Sequence, residues 1–328
     1  MTPAQSVVPQ PGGSEPRSIF LWHVHGSWTT AFVQGRHRYF VPVLPGRGPY
    51  GRGRARTWDW PASVEEVTPS QAAALEVDVV VLQRPEDLHH GAAAWLGGRE
   101  PGRDLRAVYL EHNAPQGRIA DLRHPAADRP DLTIAHVTHF NHLLWETGST
   151  PSVVIEHGIV DPGCRYTGEL PRAAAVINEP GRRGRVTGTD LLPRFAAEAP
   201  LDLYGMATES LGGRGNLTQA ALHDEMARRR VYLHPYRWTS LGLSLIEAMA
   251  LGMPVVAVGT AAVPEAVPPH AGVVSTDVDV LAAGLRRFVH EPEDARLAGK
   301  HARAGAISRF GLSRFLTDWD CLLDEVCR

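Results

Sequence analysis

The sequence predicts an α/β protein of two domains, each built on a parallel sheet, and three observations carry that expectation. Short apolar, β-branched runs recur through the 328 residues with helix-patterned segments between them. That length exceeds one ordinary core and suits two. The alternation also restarts after Asp161-Pro162-Gly163, so the chain reads as two successive α/β series.

In the first series the expected strands are Ile19–Val24, Val77–Leu82, Ala107–Leu110, Thr133–Val137 and Val153–Ile155. In the second they are Ala173–Ile177, Leu201–Tyr204, Val231–Leu233, Val255–Val258 and Val273–Val274. Helical patterns cover Asp190–Ala197, Leu217–Arg229, Leu243–Leu251, Val280–Val289, Ala295–Arg309 and Leu312–Val326. These give a tail over 1–17, rich in Pro, Gly, Ser and Gln and expected to be disordered, then domains over 18–162 and 163–309. Residues 310–328 form a last helix long enough to return to the first domain.

Composition narrows the function. Hydrophobic residues make up 43% and charged residues 21%, which is ordinary for a water-soluble domain. A net charge of −3 supplies no general attraction to nucleic acid. No apolar run reaches transmembrane length and the start lacks a signal-peptide pattern, so a cytoplasmic protein is expected. Cys164, Cys321 and Cys327 form no CxxC pair and read as reduced thiols.

Several motif matches lose their force in context. Gly46, Gly48 and Gly51 satisfy GxGxxG, but Pro49 lies inside it and more Gly and Arg follow where a helix should start. The stretch from Pro45 to Arg56 is therefore a basic loop, solvated or facing an anion. His136, His139 and His142, with His23 and His25, lack the spacing of a metal site, and no metal is expected. Asp277 and Asp279 suit a helix cap, and Asp318 and Asp320 fall within the last helix.

The chemistry concentrates in WTSLGLSLIEAMALGMPVVAV, from Trp238 to Val258. A strand ends near His234, and a helix opens at Gly242 and stops at Gly252 and Pro254. The start of such a helix lies at the carboxyl edge of the sheet, where open α/β folds bind ligands. Its free N–H groups, around Leu241, Gly242 and Leu243, suit a diphosphate. Glu247, one turn further in, is placed to accept hydrogen bonds from ribose hydroxyls, or else is a plain helix glutamate.

This stretch resembles the signature of retaining GT-B glycosyltransferases, Glu-Gly-Phe-Gly-Leu-Pro-(two apolar)-Glu-Ala-Met-Ala-x-Gly-x-Pro-Val-Val-Ala. Gly242-Leu243, Glu247 to Ala250, Gly252 and Pro254 to Ala257 match without gaps. The resemblance is to the glycosyltransferase family four or group 1-like enzymes, in a divergent actinobacterial-type form. It implies a GT-B fold: two Rossmann-like domains with parallel sheets facing an interdomain cleft. It further implies sugar transfer from a nucleotide diphosphate sugar to an acceptor hydroxyl, with retention of configuration and without metal or other cofactor.

The same resemblance assigns roles. Glu247 falls on the glutamate that holds the donor ribose, and Ser240 to Leu243 line the donor. Thr239 stands where the family has its first glutamate, against the donor sugar. Gly181 to Leu192 resembles Gly-Arg-Leu-x-x-x-Lys-Gly-x-Asp-Leu-Leu, which puts Arg182 on the pyrophosphate. Thr187 replaces the family lysine, and Arg185 is the candidate to supply that cation. Gly205 matches a glycine beside the nucleotide, Gly26 a loop over the donor phosphates, and His112 a histidine at the reacting centre. The expected partners are a nucleotide-sugar donor and an unidentified acceptor lying near Gly26 and the Arg52 to Arg56 loop. Thr239 and Thr187 leave open a homologue that binds a nucleotide sugar without transferring it; a sugar-nucleotide epimerase on the same fold is the other alternative.

Overall fold

A computed structural model describes residues 15–328. The strands, in chain order, are β1 (Ser18–Leu21), β2 (Arg38–Pro42), β3 (Val64–Val67), β4 (Val79–Leu82), β5 (Arg106–Glu111), β6 (Thr133–His136), β7 (Ser152–Val154), β8 (Leu170–Val176), β9 (Leu201–Tyr204), β10 (Arg229–His234), β11 (Val255–Val258) and β12 (Gly272–Ser275). The α-helices are α1 (Gly26–Phe32), α2 (Pro69–Ala73), α3 (Ala92–Trp95), α4 (His139–Leu144), α5 (Pro180–Arg183), α6 (Leu192–Ala196), α7 (Gln219–Arg228), α8 (Leu243–Leu251), α9 (Val263–Ala266), α10 (Val278–His290), α11 (Pro292–Phe310) and α12 (Leu312–Val326).

They build two sheets, in the orders β3-β2-β1-β4-β5-β6-β7 and β12-β11-β10-β8-β9. Every pairing within the sheets is parallel. Strand order reverses between β1 and β4 in the first sheet and between β8 and β10 in the second. Such switch points leave a crevice beyond the carboxyl ends of the strands.

Side-chain alternation explains why both faces of each sheet are apolar. Ile19, Leu21, Val79 and Val81 point into one core of the first sheet, and Phe20, Val80 and Leu82 into the other. In the second sheet, Ala174, Val255 and Ala257 pack with α8 and α11, while Ala175, Val231 and Val256 face α10.

Helix α12 belongs to the first sheet's core. Phe315, Trp319, Leu322 and Leu323 are buried there, and the Trp319 ring lies 4.9 Å from Phe32 and 5.6 Å from Trp28. Gly158 permits this approach, since a Cβ on it would lie 2.3 Å from the Cβ of Phe315.

Several expectations differ from the structure. The β2 and β3 strands were absent from the sequence pattern. β3 (VEEV) is an edge strand with two glutamates, and β2 follows the buried α1, whose GSWTTAF sequence carries no helical period. The helix expected from Asp190 begins as a 3-10 turn over Thr189–Leu191 and becomes α-helical only at Leu192, with Pro193 in its first turn. The expected disordered tail falls outside the described residues over 1–14. Its last residue, Arg17, is ordered: it holds Asp324 of α12 at 2.8 Å, and its backbone N–H donates to His37 Nδ1 at 3.1 Å.

Candidate functional site

A cleft of about 940 Å³ opens between the two sheets, lined by segments that follow the carboxyl ends of β1, β5, β8, β9 and β10. Helix α8 starts on its wall. Gly242 is the N-cap residue, with no side-chain cap, and Gly252, at φ 91°, closes the helix. The first N–H groups of α8 have no intrahelical acceptor and carry the positive end of the helix dipole into the cleft. Gly242 lacks a side chain for a packing reason as well: a Cβ there would meet His234 Cε1 at 2.4 Å.

Glu247, one turn into α8, lines the same cleft yet is only 5% exposed. Its Oε1 accepts from Ser27 Oγ of α1 at 2.7 Å, and its Oε2 lies 3.6 Å from His223 Nε2 of α7. The glutamate is therefore not a solvent-facing helix residue. It is the meeting point of both domains.

The loop after β10 is pinned across the cleft. Ser240 Oγ donates to the His112 carbonyl at 2.6 Å, and Trp238 Nε1 donates to the Pro115 carbonyl at 2.8 Å. The Ser240 hydroxyl thus joins the domains, while Ser240, expected among the donor contacts, also lines the cleft. Thr239 lies between these two anchors and faces the cleft.

Three imidazoles stack behind the loop. His112 lies 3.8 Å from His25 and 5.8 Å from His157, centroid to centroid. Burial holds His25 down to about 4 and His157 down to about 3, and pushes His112 well below the ordinary histidine range. All three are neutral at pH 7. The Nε2 of His112 and the Nδ1 of His157 are buried without a hydrogen-bond partner. Among the described residues, no group of three or more His, Cys, Asp or Glu could hold a metal ion.

Gly205 follows β9 at φ 122°, and a Cβ there would come within 2.3 Å of the Ile177 carbonyl. Only glycine lets this turn lie against the wall. Gly26, the first residue of α1, also lines the cleft, with Trp58 directly over it.

Residues 214–305 match the family described as glycosyl transferases group 1. A stretch of 102 residues is 34% identical to MMP alpha-(1->4)-mannosyltransferase of Mycolicibacterium hassiacum, covering 28% of this chain and 25% of that protein. The match thus spans a quarter of that relative's length. The similarity to the group 1 glycosyl transferases thus lies in the second domain. The whole chain resembles sucrose-phosphate synthase from Thermosynechococcus elongatus, with a TM-score of 0.69 at 13% identity over 94% of this chain and 99% of the other. It also resembles HepE of Anabaena solved with UDP and glucose, with a TM-score of 0.67 at 14% identity over 94% of this chain and 100% of the other. These likenesses make the two facing parallel-sheet domains a GT-B fold.

The cations of the turn after β8 do not all lie where the resemblance places them. Arg182 lines the cleft and pairs with Glu179. Arg185 is not among the lining residues: its guanidinium holds Asp190 at 3.0 Å and is 77% exposed. The candidate to supply the family lysine's cation is thus engaged with Asp190 in this structure. Thr187 does not face the cleft either; it is buried, donates to the Gly184 carbonyl at 3.2 Å, and shares a 2.9 Å hydrogen bond with Thr189. Arg183, passed over in the sequence, lines the cleft together with Arg182, its guanidinium 5.6 Å from the Tyr236 ring centroid. Adjacent arginines in a turn give no local signal of which one points where.

Proposed function

We propose that the cleft binds a nucleotide diphosphate sugar and transfers the sugar to an acceptor hydroxyl, with retention and without a metal ion. The observation that carries this is the placement of Glu247 one turn inside a helix whose free N–H groups face the cleft. A carboxylate beside an anion-binding helix end suits a ribose next to a diphosphate: it accepts from hydroxyls, while the helix end and arginines take the phosphates.

The nucleoside would lie along Gly205 and Glu247, the diphosphate at Leu241 to Leu243 with Arg182, and the sugar toward Thr239 and His112. In the transfer, the bond from anomeric carbon to phosphate oxygen breaks with its electron pair leaving on the diphosphate. The acceptor oxygen bonds to that carbon, and its proton passes to the leaving phosphate oxygen. Cationic groups and helix N–H groups aimed at the diphosphate stabilise the charge that develops there. A neutral His112 can accept one hydrogen bond from the sugar or acceptor without repelling developing positive charge at the anomeric carbon. HepE was solved with UDP and glucose, so UDP leads the nucleotides to try.

Thermal shift and calorimetry with UDP, GDP, ADP, dTDP and their sugars test the reading. Glu247→Gln should weaken the nucleotide that binds by about tenfold, the loss of one hydrogen bond to a charged acceptor, with the fold retained. Unchanged affinity in this variant sinks the ribose assignment. One observation favours a second reading, binding without transfer: the residue lining the cleft wall where the sugar would lie is uncharged Thr239. Donor that binds tightly but is never consumed with a panel of sugar acceptors would select that reading.

A further inference from the structure

The Arg-rich loop of the first domain is not a loose solvated segment. Glu66 of β3 braces it, accepting from Arg47 Nη1 at 2.8 Å, Arg47 Nη2 at 3.0 Å and the Arg54 N–H at 2.8 Å. Arg54 is committed to backbone carbonyls, including Trp60 at 2.6 Å and Pro61 at 2.9 Å. Arg52 lies between them, its backbone bridged to Val43 and its carbonyl accepting from Arg47 Nη1 at 2.9 Å. Gly53, at φ 68°, makes the turn, and a Cβ there would meet Glu66 Oε1 at 2.3 Å. Two arginines of the loop thus serve its structure, and the frame they form carries the Arg52 side chain into the cleft.

The charged residues lining the cleft are Arg52, Arg182, Arg183, Glu179 and Glu247. Glu179 pairs with Arg182, and Glu247 turns to Ser27 and His223. Arg52 and Arg183 remain, one from each domain, neither in an ion pair among the described residues. Both act on His25 and on Glu179 through space, so they look onto the same volume. A sugar nucleotide brings one negative charge on each of its phosphates.

We propose that Arg52 and Arg183 clamp the donor diphosphate from opposite domains, Arg52 holding the β-phosphate in place of the cation that Thr187 lacks. This deepens the donor reading above and rests on it. Breaking the bond to the sugar adds charge to the β-phosphate, so a guanidinium there stabilises the leaving group as well as the bound donor. Because Arg52 belongs to the first domain, the phosphate site is complete only while the domains are closed.

The experiment compares nucleoside mono- and diphosphate binding by calorimetry, with UMP and UDP first and the GMP/GDP, AMP/ADP and dTMP/dTDP pairs alongside. Arg52→Gln should weaken the diphosphate by about tenfold, as for loss of one charge-assisted hydrogen bond, and leave the monophosphate within about twofold. Arg52→Lys should recover most of the loss, and Arg103→Gln, a surface charge paired with Glu100, should change neither. The Arg52 side chain makes no hydrogen bond or ion pair among the described residues, so its removal leaves the fold intact. Equal loss for mono- and diphosphate, or no loss, overturns the clamp while the donor reading stands. A wild-type protein that binds none of these nucleotides overturns the donor reading, and the clamp with it.

Discussion

Ser27 Oγ donates to Glu247 Oε1 across the cleft at 2.7 Å, so the carboxylate best placed for a ribose is already held by the opposite domain. A ribose hydroxyl that uses this oxygen must displace or share that bond. Ser27→Ala should therefore tighten nucleotide binding by about tenfold or more, since a hydrogen bond to a charged acceptor contributes about 1.5–3 kcal/mol. It should also lower stability by about 1 kcal/mol, because a buried carboxylate loses a donor. Calorimetry and urea unfolding read the two effects. Weaker nucleotide binding would mean that Ser27 helps hold the ligand and does not compete with it.

The stacked imidazoles predict sensitivity to acid. His25 is held down to about 4 and His157 to about 3 by burial, against 6.5 for the unfolded chain. A depressed folded value means that the unfolded chain takes up the proton first. Stability is therefore fully present above pH 6.5 and is lost as pH falls, down to about 4 for His25 and about 3 for His157. Each group contributes a slope of about 1.4 kcal/mol per pH unit in its window. Urea unfolding between pH 7 and pH 5 should show the decline, and His157→Gln should remove about one group's share of it. A slope equal to wild type in that variant would mean His157 is protonated in the folded protein.

Trp319 ties the chain's last helix to the first domain by packing alone, for its ring sits against Trp28 and Phe32 and its Nε1 has no partner. Trp319→Ala should cost about 3–5 kcal/mol, the usual range for emptying a buried tryptophan site. Chemical denaturation measures it; a loss below about 1 kcal/mol would show that α12 is not docked there in solution.

What the amino-acid order decided by itself is local. Helix α8 runs over Leu243–Leu251 because Gly242 and Gly252 bracket a run of mostly strong helix formers, and α12 covers Leu312–Val326 because its period is strong. Capping and periodicity act within a few residues and can be read there. The alternating strands and the family-like run from Gly242 to Ala257 likewise pointed to the GT-B fold, which the structural likenesses bear out. The tertiary structure decided the rest. Only docking of the two domains engages Glu247 with Ser27 and gives the Ser240 hydroxyl to His112. Only the shape of one turn sends Arg183 inward and Arg185 to Asp190. Only the bracing by Glu66 turns a basic loop into a support for Arg52. Each of these depends on contacts between residues distant in sequence, and the side-chain directions they set leave no periodic trace along the chain.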